Sequence, residues 1–170
     1  MRMKPLRNGA FERLFEAHAE PLFAFLVYRT GDRQLAEDLV ADTFERAMRS
    51  SSRFDPRRGS EKNWLYAVAV NLARDNARRA SVETRALERV GAQTRDCDDD
   101  PRISAVSDRD AVDRALVTLK DDEREAIALR FGSDLKLREV ARAVGESESA
   151  VEKRISRALQ KLRHELQPPE

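Results

Sequence analysis

A chain of 170 residues, 37% charged and 41% hydrophobic, has room for one domain or two small ones and the composition of a helix-rich protein. It has no run of about 18 apolar residues to span a membrane, and its basic start, MRMKPLRNGAFERLF, lacks the apolar core of a secretory signal. A single cysteine, Cys97, excludes an internal disulfide or a cysteine zinc cluster, so a cytoplasmic protein with no metal and no cofactor is expected.

The net charge of +1 conceals an uneven distribution. Residues 1–80 carry 15 basic against 11 acidic side chains, residues 81–112 carry 5 against 8, and residues 113–170 carry 12 of each. The basic excess at the front is masked by an acidic middle.

Along the chain, Phe11, Leu14 and Phe15 open an amphipathic helix that Leu22, Phe23, Phe25 and Leu26 continue, with Pro21 expected to kink it or start a second one. Gly31 stops that run and Asp32 caps the next, a helix over residues 34–49 with a broad apolar stripe. Residues 50–60, SSSRFDPRRGS, form a basic loop. A helix then runs from about 60 to 79, with Trp64, Leu65, Val68, Ala69 and Leu72 inward. Residues 81–107, containing TRDCDDDPR, are an acidic linker, and helical periodicity resumes at Asp108 with Val112, Ala115, Leu116 and Leu119. Strand patterning is absent throughout. The expected fold is all-α: two small helical domains, 1–80 and 108–170, joined by a flexible acidic linker over 81–107.

The segment LREVARAVGESESAVEKRISRALQKLR, residues 137–163, has the form of two helices around a tight turn. Gly145 suits a left-handed helix end and Ser147 an N-cap. Val151, Ile155, Leu159, Leu162 and Leu166 fall on one face of the second helix, and Lys153, Arg154, Arg157, Lys161 and Arg163 make it basic. Two readings follow: a helix-turn-helix whose second helix enters a major groove, or a helix pair with a solvated basic face. His18 and His164 stand apart on ordinary helices with no nucleophile beside them, so no catalytic group is expected and the chain is read as a non-enzyme.

Three segments together resemble the bacterial sigma factors of the extracytoplasmic-function (ECF) type. LAEDLVADTFERAMR, residues 35–49, is similar to region 2.2 of that family; NWLYAVAVNLARDNARR, residues 63–79, to regions 2.3 and 2.4; and LKDDEREAIALRF with the helix pair after it, residues 119–166, to region 4. The chain departs from the family at Ala41, Lys120 and Lys136, and Glu148 and Glu152 make the start of the second helix unusually acidic.

The resemblance implies a promoter-specificity subunit whose partners are core RNA polymerase, promoter DNA and an anti-sigma factor. It implies polymerase docking by the 35–49 helix, with Asp38, Asp42, Glu45 and Arg46 at the polar rim and Leu39 and Phe44 packing. For the −10 element it implies phosphate contacts from Arg53, Arg57, Arg58, Lys62, Arg74, Arg78 and Arg79, with Trp64 at the upstream edge of the opened fork and Asn71 in a pocket for an unstacked base. On the residues alone Trp64 serves equally well as core. For the −35 element it implies Ser149, Glu152, Lys153, Arg154, Ser156 and Arg157, with Arg154 chiefly a phosphate contact. Asp96, Asp98, Asp99 and Asp100 in the linker are either an RNA mimic in the polymerase channels or a solubilising tether. A stand-alone DNA-binding regulator and a protein-binding adaptor are the competing functions.

Overall fold

In the computed structural model, residues 8–90 and 111–166, apart from 113 and 117, are described; every regular element among them is helical. Three helices make the first half: α1 (Asn8–Thr30), α2 (Arg33–Ser50) and α3 (Glu61–Val90), with a single 3-10 turn at Ser51–Arg53 after α2. The second half contains helical residues at 111–112 and 114–116, α4 (Asp121–Ile127) running into a π-type turn at Ala128–Gly132, α5 (Leu137–Val144) and α6 (Glu148–Leu166).

Pro21 lies inside α1, which is one helix from end to end. A proline in a helix interior costs about 3 kcal/mol. Leu22, Phe25 and Leu26 are each nearly wholly buried just beyond it, and each such burial contributes about 1.5–3 kcal/mol, so packing outweighs the break. Gly31 then ends the helix at φ +69°, a left-handed conformation that favours glycine. Asp32 caps α2, its carboxylate accepting from the Leu35 N–H at 3.0 Å.

The third helix is ten residues longer than its pattern predicts. It continues through residues 81–90, SVETRALERV, which were expected to belong to the linker. Polarity suggested a tether there, yet Gly91 is the first glycine or proline after Ser60, and Ala, Glu, Arg and Leu all favour helix. The rest of the expected linker, with Cys97 and the Asp96–Asp100 run, lies outside the described residues. The buried row of α3 is Leu65, Tyr66, Ala69, Val70 and Ala73. Trp64, Val68 and Leu72, expected inward, are only half-buried, on the shoulder of the helix.

The helix pair forms as its spacing predicts. Gly145 adopts φ +74° between α5 and α6, and the Ser147 hydroxyl accepts from the Ala150 N–H at 3.3 Å. At the start of α5, Lys136 cannot cap, and Glu139 reaches back to the Lys136 N–H at 2.8 Å. Val151, Ile155 and Ala158 are the buried row of α6. Leu159 and Leu166, placed on that row by periodicity, are instead exposed.

The two halves pack against each other, α1 on α4 and the turn that follows it, α3 on α5, around one continuous buried cluster that runs from Leu14 to Ala158. No described helix is long and apolar enough to cross a membrane.

Candidate nucleic-acid interface

On the first half, α2, the 3-10 turn and α3 enclose a polar trough. The spacing of Asp42, Glu45, Arg46 and Arg49 puts them on one face of α2, and that face, with Ser52, Arg53, Leu72 and Arg79, lines a cleft of about 630 Å³. A smaller recess of about 250 Å³ adjoins it, lined by Arg46, Ser50, Arg53, Trp64, Val68, Asn71, Leu72 and Asp75. Trp64 is held by Phe54 from the loop, ring centroids 5.4 Å apart. Asn71 is exposed at the rim of this recess. An aromatic face, an amide with a donor and an acceptor, and guanidinium groups around them can stack a base, bond its edge and hold its backbone.

The predicted −10 residues divide into three groups. Arg53, Trp64, Asn71 and Arg79 converge on the trough. Arg57 and Arg58 are exposed on the loop, Lys62 is half-buried, and Arg78 pairs with Asp75 at 2.6 Å. Arg74 turns away: its guanidinium is held by Glu125 and by the Val144 carbonyl of the other half. Arg49, Ser50 and Ser52 line the trough, and Phe54 supports it through Trp64, but none of the four was singled out in the sequence. For Arg49 the signal was present, since it follows Glu45 by one turn and pairs with it at 2.7 Å.

On α2, Asp38, Asp42, Glu45 and Arg46 are exposed as predicted. Leu39 and Phe44 are not available to a partner: at 4% and 3% exposure they form the protein's own core. Phe44 is capped by Phe11 and Phe15, with centroids at 6.0 and 4.8 Å. The exposed apolar side chains at that end are Phe15 and Met48.

On the second half, Glu152, Lys153, Ser156 and Arg157 share the outward face of α6 with Gln160, and Ser149 is exposed near its start. Gln160, one turn beyond Ser156, was missed although its spacing places it there. Arg154 does not share that face. Its side chain is 13% exposed and lies 2.6 Å from Glu146 and 3.1 Å from Asp122, bracing α6 against α4. Burial pulls its pKa down, but the carboxylates of Glu146, Asp122 and Glu125 together outweigh it, and the net direction is up. Lys161 is a second brace, bonded to both oxygens of Glu123 at 2.7 and 3.0 Å. Burial pushes the Glu123 pKa up; Lys161 and the Lys120 backbone outweigh it and bring the carboxyl below its ordinary value.

Comparison with known proteins agrees with this geometry. Residues 14–82 match the Sigma-70 region 2 family and residues 115–164 match Sigma-70, region 4. The ECF RNA polymerase sigma factor SigX of Bacillus subtilis is 31% identical over 92% of this chain and 84% of its own. The chain belongs to the ECF sigma factors. The ECF sigma factor BldN of Streptomyces coelicolor is 30% identical over 90% of this chain, which spans 59% of that relative's length. Among solved structures, the sigma factor RpoE in complex with the anti-sigma factor NepR, from Bartonella quintana, superposes with a TM-score of 0.78 at 26% identity, covering 92% of this chain and 96% of that one.

Proposed function

We propose that this ECF sigma factor binds core RNA polymerase and directs it to promoters with two separated elements, without catalysing a reaction itself. The trough between α2 and α3 takes the −10 element, and the outward face of α6 takes the −35 element. One observation carries the reading: a recess joining Trp64 and Asn71 with Arg46 and Arg53 stands in the same chain as a helix-turn-helix with an open polar face. Duplex DNA hides its base faces, so an aromatic and an amide in a recess suit a base already out of the stack. A convex helix with Lys153 and Arg157 outward suits an intact major groove.

The exposed charges of α2, with Phe15 and Met48 beside them, are the docking surface for core polymerase. The likeness to RpoE points to an anti-sigma factor as a further partner. Such work places the protein in the cytoplasm, with polymerase and DNA. Run-off transcription with core enzyme and a promoter library tests the reading: the chain should confer initiation at a defined subset of promoters. Tight specific binding by the chain alone, with no stimulation of core enzyme, overturns it, because each half offers too little surface for specific affinity.

A further inference from the structure

Of Glu152, Lys153, Ser156, Arg157 and Gln160, which share the outward face of α6, only Glu152 is acidic. At about 100° per residue that face divides by charge. Ser149, Ser156 and Gln160 run down its middle, Lys153 and Arg157 take one edge, and Glu152 takes the other.

A carboxylate on a surface that meets DNA works against the phosphate charge, and nothing within the protein accounts for it. The helix dipole does not. α6 begins at Glu148, which the dipole favours in the first turn, whereas Glu152 lies in the second, where that effect has faded. Pairing along the helix does not either. The neighbours of Glu152 at helical spacing are Glu148, Ser149, Ile155 and Ser156, none of them a cation. Its carboxylate makes no ion pair or side-chain hydrogen bond with any described residue. Phosphate repels it, which leaves the base edges as the part of a duplex it suits.

An ionised carboxylate only accepts hydrogen bonds. In the major groove guanine presents two acceptors, thymine an acceptor and a methyl group, and adenine a donor beside an acceptor. Cytosine alone presents an amino donor with no acceptor next to it on the same base. The other three bases would each set a lone pair or a methyl group against a desolvated carboxylate, which costs more than a missing attraction.

We propose that Glu152 is a specificity-determining residue, accepting a hydrogen bond from the N4 amino group of one cytosine in the −35 element and rejecting the other bases there. This rests on the promoter-recognition reading above. The carboxylate weakens binding to DNA in general and recovers the loss only at the matching base, so it selects chiefly by exclusion.

The test binds holoenzyme, the full chain with core polymerase, to duplexes randomised across the −35 element and counts the bases selected. The parent should favour cytosine at one position by at least about fivefold over each other base, the lower end for a specific base contact. Glu152→Ala should flatten that position and leave the rest of the element unchanged. Glu152→Gln should turn it towards adenine, whose N6 and N7 match an amide's acceptor and donor. Glu148→Gln removes the same charge from an exposed site one turn earlier, and should tighten binding to all sequences evenly while cytosine stays preferred. A parent with no such preference, a preference that survives both Glu152 variants, or one lost equally in Glu148→Gln each overturns the assignment. Run-off transcription by the parent holoenzyme separates this from the wider reading. Initiation at a defined subset of promoters leaves the sigma reading standing whatever Glu152 does, and a parent that never initiates overturns both.

Discussion

The two DNA-facing surfaces differ in shape and in how their cations are employed. The first half offers a concave trough, in which Arg46, Arg53 and Arg79 point into the space a ligand would fill. The second offers one convex helix, and two of its five basic side chains, Arg154 and Lys161, are internal braces to α4. A basic helix in the sequence is therefore not a count of DNA contacts. The cations of α6 divide between holding the helix in place and reaching outward, and the division follows the helical repeat: Arg154 and Lys161, seven residues apart, lie on the same flank, while Lys153 and Arg157 lie on the other.

The sharpest way to break this division is to compare Arg154→Ala with Arg157→Ala. The first leaves Glu146 and Asp122 facing an emptied, partly buried site and should cost about 2–3 kcal/mol of stability, discounted from the fully buried case because both carboxylates keep contact with water. The second should stay within about 0.5 kcal/mol of the parent in stability, while losing about 1–3 kcal/mol of −35 affinity and relaxing preference at one position if it reads a base. Thermal unfolding and binding of randomised −35 sites by holoenzyme measure both. An Arg154→Ala protein of normal stability with evenly weakened DNA binding would restore it to the phosphate-contact role.

The trough admits a gentler contrast. Asn71 is exposed, so Asn71→Ala should leave folding intact while reducing promoter opening about tenfold, the equivalent of one lost hydrogen bond to a base edge. Trp64 is half-buried against Phe54, so Trp64→Ala should lower stability and opening together. Permanganate reactivity of promoter thymines, read beside a thermal melt, separates the two. Normal opening with Asn71→Ala removes that side chain from the pocket.

How much of this was legible follows the same line. Caps and turns were readable because they depend on single residues with unusual backbone or side-chain chemistry: Gly31, Asp32, Gly145 and Ser147 all act locally. The helical faces were readable only to within about one position. Leu72 and Leu159 satisfy an apolar period but sit at its edge, where the neighbouring element decides burial. Leu39 and Phe44 were misplaced for the opposite reason, since an apolar side chain on a docking helix has the same pattern whether it faces a partner or its own core. Ion pairs between distant segments were not readable at all. Arg29 and Glu125 are 96 residues apart, and no local pattern marks either as paired.

The smallest expected effects concern acid, and they separate the two halves by pH. In the first half, partial burial and then the nearby Lys62 charge lower the pKa of His18 from its ordinary 6.5, with Glu61 opposing. The native state therefore resists protonation more than the unfolded chain does. Stability from this group is complete above pH 6.5 and declines as the pH falls from there through the lowered native value. In the second half, the Glu123 carboxyl is lowered from an ordinary 4.5, so its contribution is complete above that pH and is lost only as the pH falls through the native value. A stability profile should thus show a shallow decline beginning near pH 6.5 and a second beginning near 4.5. Lys161→Met should cost about 1 kcal/mol at neutral pH, as expected for a half-exposed ammonium on a buried carboxylate, and should flatten only the lower step. His18→Gln should flatten only the upper one. Denaturant unfolding of each variant at closely spaced pH values resolves the pair, and an upper step that survives His18→Gln would assign it to a different group.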